Sequence, residues 1–324
     1  MRNDAMTDWD VKKAFQETVK PVFFPTIFID EYWDHYMDLF GQTEQYIDFR
    51  EKFKSGGFTY LSYMDAYLGT VRMAAERQMT GDRESVARAV KMYADSVFWN
   101  VPGYMFPEMD CSDFPEGRYL QVDLKHAFDH AMKAAGVFNP EYGSTDEIIE
   151  EVRMHDIFSG MKKLRLAVYA RNFGPETIGD LFRICSGELL KKVYLSGNDL
   201  MKDLRERYPS GMTGHGDMYM YNIGEDDMSG MEGDHDVDGI PVNMSVAEIR
   251  EVKILGCGCK TMFIPGKSPV DYTLGWSGSN LISPELFPLV LRLCRDERPD
   301  MMDLAIGHED RIFFHLNEHD YETK

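Results

Sequence analysis

Three groups of titratable side chains in this chain have types and spacings that could do chemistry. Towards the C-terminal end, Asp271, Asp300, Asp303 and His308 offer three carboxylates and an imidazole. Any one of them could activate water directly, or through a divalent metal that lowers the pKa of bound water. Lys125-His126-Ala127-Phe128-Asp129-His130 spaces two imidazoles four residues apart. On a helix they share one face and can reach one metal ion, with Asp123 and Asp129 as orienting carboxylates. Leu124, Phe128, Ala131 and Ala135 form the apolar stripe on roughly the opposite side, so a solvent-facing histidine pair is the plain alternative. Asp234-His235-Asp236-Val237-Asp238-Gly239 has the one-three-five carboxylates and the following glycine of a calcium loop. Ser245 stands where the bidentate Glu belongs and Pro241 interrupts the later backbone, so a solvated acidic loop competes with cation binding.

Softer groups complete the inventory. Cys257-Gly258-Cys259 has one residue between the thiols, too few for a zinc knuckle, but on a strand both sulfurs point to one face and can line a pocket. Small apolar residues beside a closely packed glycine are the competing reading. Tyr272 and Trp276, with Tyr219, Tyr221 and 22 methionines, supply aromatic and polarizable walls suited to a flat or sulfur-containing ligand, and suit an ordinary core equally well. His315-Leu316-Asn317-Glu318-His319 matches a metalloprotease signature, but that motif needs a helix, and residues 311–316 read as a strand.

The stretches Val270-Asp271-Tyr272-Thr273-Leu274-Gly275-Trp276-Ser277-Gly278 and Asp300-Met301-Met302-Asp303-Leu304-Ala305-Ile306-Gly307-His308-Glu309 resemble the vinyl-reductase domain family, the sensor module of phenol-responsive activators. The likeness covers roughly 156–315. In that family an early Cys, a Glu-x-x-Cys pair, a Gly-His turn and a last Cys hold a zinc. Laid on that pattern, Asp271 falls near the early Cys, Asp300 at the Glu, Asp303 at the second Cys and Arg311 near the last Cys. Thiolates select zinc and carboxylates prefer harder cations, so the resemblance implies no Cys-rich zinc here, with a divalent metal as the candidate cofactor. A related group with a similar closing hairpin hydrolyses 2-amino-thiazoline-4-carboxylate, so the resemblance implies either ligand sensing or ring hydrolysis.

The positioning elements are legible from periodicity. Tyr60, Tyr63, Met64, Tyr67, Leu68 and Val71 recur at helical spacing, and Val86, Val90, Tyr93 and Val97 repeat it after the Thr80-Gly81-Asp82 break. A short helix is expected over 122–135, after a Pro- and Gly-rich loop around 102–117. One long helix is expected over 176–207, with Pro175 in its first turn and breaks open at Gly187 or Gly197. Beyond Pro209, short β-rich runs take over at 218–221, 249–255, 261–264 and 312–316. The expected fold is α+β: a helical N-terminal region, 1–139, packed on a C-terminal antiparallel-sheet domain with a long helix, 140–324. The pocket is expected between the 176–207 helix and the C-terminal sheet.

Composition narrows the partners. Lys+Arg 35 against Asp+Glu 55 gives a net charge of −20, which repels phosphate backbones and anionic lipid. No nucleic-acid or membrane partner is expected. No run of eighteen apolar residues occurs, the first residues are acidic, and five scattered cysteines are not a disulfide framework, so cytoplasmic localisation is expected. The expected function is binding of a small aromatic or heterocyclic molecule. The alternatives are a hydrolase of a small ring compound, metal-assisted or not, and a structural or interaction protein. The partner is then the small-molecule ligand, with a homodimer open as the assembly.

Overall fold

The computed structural model describes residues 7–19, 25–99, 115–209, 212–214, 218–263 and 284–322. Helices and antiparallel sheets make the fold α+β, with helices dominating the N-terminal part and strands the C-terminal part. Contacts divide the chain into two compact units that interleave along the sequence instead of meeting at 139/140. The first comprises Met1–Thr70, Arg153–Leu164 and Arg250–Lys324; the second comprises Val71–Val152 and Arg165–Ile249.

In the first unit, α1 (Asp8–Thr18) starts at a reciprocal capping box between Thr7 and Asp10 and buries Val11, Ala14, Phe15 and Thr18 at helical spacing. α2 (Asp30–Leu39) buries Trp33, Tyr36 and Met37, and α3 (Thr43–Ser55) buries Tyr46, Phe49 and Phe53. The start of α4 (Tyr60–Gln78) adds Tyr63 and Tyr67. Their rings meet edge to face, Phe15 with Tyr46 at 5.1 Å and Phe49 with Tyr63 at 5.7 Å, so aromatic packing sets the angles between these helices. A second apolar cluster gathers Leu289, Val290 and Leu293 of α12 (Phe287–Cys294) with Val252, Ile254 and Leu316. Beside it stands the hairpin β7 (Ala305–His308) and β8 (Arg311–His315).

The second unit is built on a central strand, β1 (Gly117–Leu124), flanked by β3 (Met218–Asn222) and β5 (Ile240–Ile254), with β2 (Met212–Gly214) and β4 (Gly233–Val237) outside them. All these pairings are antiparallel, and Leu120 faces Tyr221 on one side and Val246 on the other. The helix expected over 122–135 is therefore a strand up to Leu124 followed by α6 (Ala127–Ala134). Leu120, Val122 and Leu124 alternate with Gln121 and Asp123, which is the period of a strand and not of a helix.

The helix expected over 176–207 runs on through Gly187 as a π turn and is broken at Gly197. Pro175 opens α9 (Pro175–Ile184), a π-helical turn runs Cys185–Leu189, and α10 (Leu190–Leu195) follows. Ser196-Gly197-Asn198 then ends that rod, and the Asn198 side chain caps α11 (Asp199–Arg207). α5 (Arg83–Trp99) lies along α9 and the π turn. The remaining helices of the region are α7 (Thr145–Val152) and α8 (Lys162–Asn172). The strands expected over 249–255 and 261–264 are the end of β5 and of β6 (Cys257–Phe263), and β9 (Tyr321–Glu322) pairs with β5 at Lys253 and Ile254. No helix among the described residues is long and apolar enough to cross a membrane.

Candidate functional site

The C-terminal aspartates meet in a small polar cluster of the first unit. Asp300 accepts a hydrogen bond from the Met302 backbone N–H at 2.9 Å, and Asp303 Oδ2 accepts one from the Asp300 N–H at 2.7 Å. The two carboxylates thus cap each other's turn at Met302–Leu304. Asp303, fully buried, also accepts from Arg292 Nε at 3.0 Å and from His35 Nε2–H at 2.6 Å. Burial pushes this carboxyl up; hydrogen bonds from His35 and the Asp300 N–H, with the His35 and Arg292 charges, outweigh it and hold the pKa below the ordinary value. Asp303 is therefore a satisfied anion, and the partly buried functional group it holds is His35.

His35 belongs to a strip on α2. Tyr36, one position on, donates its hydroxyl to the Met302 carbonyl at 3.1 Å. Tyr32 is hydrogen-bonded to His315 Nε2 on β8 at 3.0 Å. Desolvation, then the Asp303 charge, raises the Tyr36 phenol far above its ordinary value, so it stays a donor. His308 stands at the exposed end of β7 and makes no hydrogen bond or ion pair with Asp300 or Asp303. Asp271, Tyr272 and Trp276 lie outside the described residues. Cys257 and Cys259 lie on strand β6, and their side chains are outside the description.

The two metal-ligand readings meet different geometry. His126 does not share a helix face with His130, because it is the N-cap of α6 in the left-handed region, φ 52°. Its Nδ1 faces Asp129 at 3.9 Å and Asp146 at 3.7 Å. Asp129 is itself buried and accepts from the Thr145 N–H at 2.9 Å and the Tyr169 hydroxyl at 2.7 Å, which makes it a structural hub. His130 is half-buried, and desolvation followed by the Lys133 charge lowers its pKa. Asp234, Asp236 and Asp238 belong to the β4–β5 hairpin and not to a calcium loop. Asp238 and Gly239, φ 53° and 82°, form the left-handed two-residue turn that an Asp-Gly pair favours. Asp234 accepts from Lys125 and Asn243, both at 2.7 Å, and Asp236 accepts from the Gly239 N–H. Among the described residues, no group of three or more His, Cys, Asp or Glu side chains is arranged to hold a metal ion.

A groove of about 440 Å³ in the second unit runs between α5 and the turn from the π segment into α10. Tyr93 and Val97 form one wall; Gly187, Glu188, Lys191 and Leu195 contribute to the other. A Cβ at Gly187 would sit 3.4 Å from Val97 Cγ1, so the bare glycine keeps the floor low. The Tyr93 hydroxyl donates to Glu188 at 2.5 Å, and Lys192 pairs with the same carboxylate. Desolvation and that hydrogen bond push the Tyr93 phenol up to about 12. The 185–195 segment thus supplies one wall of this groove and α5 the other. Glu188 and Lys192 at i and i+4 just after a helical glycine are the local signal for it; nothing local marks His35.

Comparison with family models, with curated proteins and with solved structures found no match.

Proposed function

We propose that the protein binds a small ring-bearing molecule in the groove between α5 and the π turn. The groove itself carries the reading. Its volume falls in the range of about 300–1,000 Å³ typical of ligand sites, and its walls are chiefly apolar with few placed polar groups. A π-helical turn is uncommon within α-helices and is frequently kept at functional sites, and this one shapes the groove's edge. The resemblance of the C-terminal motifs to vinyl-reductase pocket domains supports the same ligand class. The setting is cytoplasmic, with no nucleic-acid partner, as the net charge of −20 favours.

A thermal-shift screen of mono- and bicyclic compounds, run on wild type and on Gly187→Leu, tests this. Gly187→Leu fills the floor. Hits that stabilise wild type and fail to stabilise the variant are expected; an empty screen, or hits indifferent to the variant, would remove the proposal.

One observation favours hydrolysis of a small ring compound as the second reading. His35 is held by a buried carboxylate, the arrangement in which an imidazole takes a proton from water while its partner keeps the ring oriented. Ring opening of 2-amino-thiazoline-4-carboxylate that disappears in His35→Gln is the expected result under that reading. Activity surviving the substitution would exclude His35 as its base.

A further inference from the structure

We infer that the groove selects a small apolar carboxylate and that Lys191 receives its charge; the inference rests on the groove reading above. The charges at the rim do not cancel. Glu188 is already engaged twice, by the Tyr93 hydroxyl and by Lys192, so those three side chains sum to zero. Lys191 also lines the groove and is partly buried. It has no carboxylate within 4 Å among the described residues, and one positive charge is left beside an apolar wall.

That position defines the ligand chemistry. An ammonium partly withdrawn from water gains more from an anion than a fully exposed one does, because the apolar wall lowers the local dielectric. A neutral ring leaves the charge unused, and a cationic ring is repelled by it. A phosphate is a poorer fit, since it calls for several donors or an Arg fork, and the groove offers one free ammonium. Val97, Leu195 and the Tyr93 ring then take the apolar body. The whole chain carries −20, so a positive rim here is a local feature and not a general attraction for anions.

The test compares 2-naphthoate with its near-isosteric neutral amide, 2-naphthamide, by calorimetric titration of the full chain. Naphthoate is expected to bind about fivefold more tightly, the scale of a partly exposed ion pair, with the preference shrinking at high salt. The preference should vanish in Lys191→Gln and persist in Lys191→Arg, and both variants should keep the wild-type melting temperature. Equal binding of the two probes, or a preference that survives Lys191→Gln, overturns the inference and leaves the groove reading standing. Binding of neither probe overturns the groove reading and this inference with it.

Discussion

His35 Nε2 lies 2.6 Å from Asp303 Oδ1, joining α2 to the turn before β7 across 268 positions of chain. Asp303 is fully buried, and its other oxygen accepts from Arg292 and from the Asp300 N–H. One carboxylate therefore ties an N-terminal helix, α12 and the C-terminal hairpin of the first unit together.

Asp303→Asn should destabilise the fold by about 1–3 kcal/mol, the scale of hydrogen bonds to a buried charged group, since Asn keeps one acceptor oxygen and Arg292 keeps its pair with Glu297. Urea unfolding measures it. A loss of under about 1 kcal/mol, the scale of an exposed pair, would mean the cluster is solvated in solution.

The same carboxylate sets an acid limb. Its folded pKa is depressed, so its contribution is present above the unfolded value of about 3.9 and is lost as pH falls through the folded value. The stability gap between wild type and Asp303→Asn should narrow as pH drops from neutral into that acid range. A gap independent of pH would contradict the assignment.

Gly307→Ala should open the β7–β8 hairpin. A Cβ there would collide with the Arg311 carbonyl oxygen and come within 3.2 Å of Ile312 Cα, both backbone atoms that cannot rotate away. The register shifts at this point, so the clash falls on an already irregular pairing. A destabilisation of about 1–3 kcal/mol is expected, with faster amide exchange confined to 305–315.

Thr145→Val should cost about 1–3 kcal/mol through an unsatisfied donor. Thr145 Oγ1 donates to Asp129 at 2.5 Å and accepts from Gln78 Nε2 at 2.6 Å, in a buried network that Asn172 continues at 2.8 Å from Gln78. The near-isosteric valine fills the space, so thermal unfolding reads the hydrogen bonds alone; an unchanged melting temperature would show that water takes over the network.

At alkaline pH the phenols of Tyr60, Tyr67 and Tyr93 should ionise near 12, each raised chiefly by desolvation. Raised pKa values stabilise the fold below the unfolded value of about 10, and that contribution is lost as pH rises through the folded values. Absorbance titration of native and urea-unfolded protein should separate the two curves; coincident curves would place these hydroxyls in water.

Much of the architecture could be read from local spacing. The apolar positions of α4 and α5, Pro175 at the start of α9 and the strand at 312–316 all follow from periodicity and turn chemistry, which act over a few residues. Over 122–135 the histidine pair suggests a helix, but the alternation of Leu120, Val122 and Leu124 is the stronger signal and makes a strand up to Leu124. Likewise Asp238-Gly239 was a hairpin turn before it was a calcium loop, since both residues take positive φ.

By itself the sequence determined the α+β class, the positions of most helices and the acidic charge, and it left the break of the 176–207 helix open between Gly187 and Gly197. Only the tertiary structure decided which groups meet. His35 reaches Asp303 because two elements far apart in sequence share one core, and Tyr93 reaches Glu188 because α5 lies against the π turn. Local propensity reports the shape of a segment, and it carries no information on which buried donor a distant segment will bring to an acceptor.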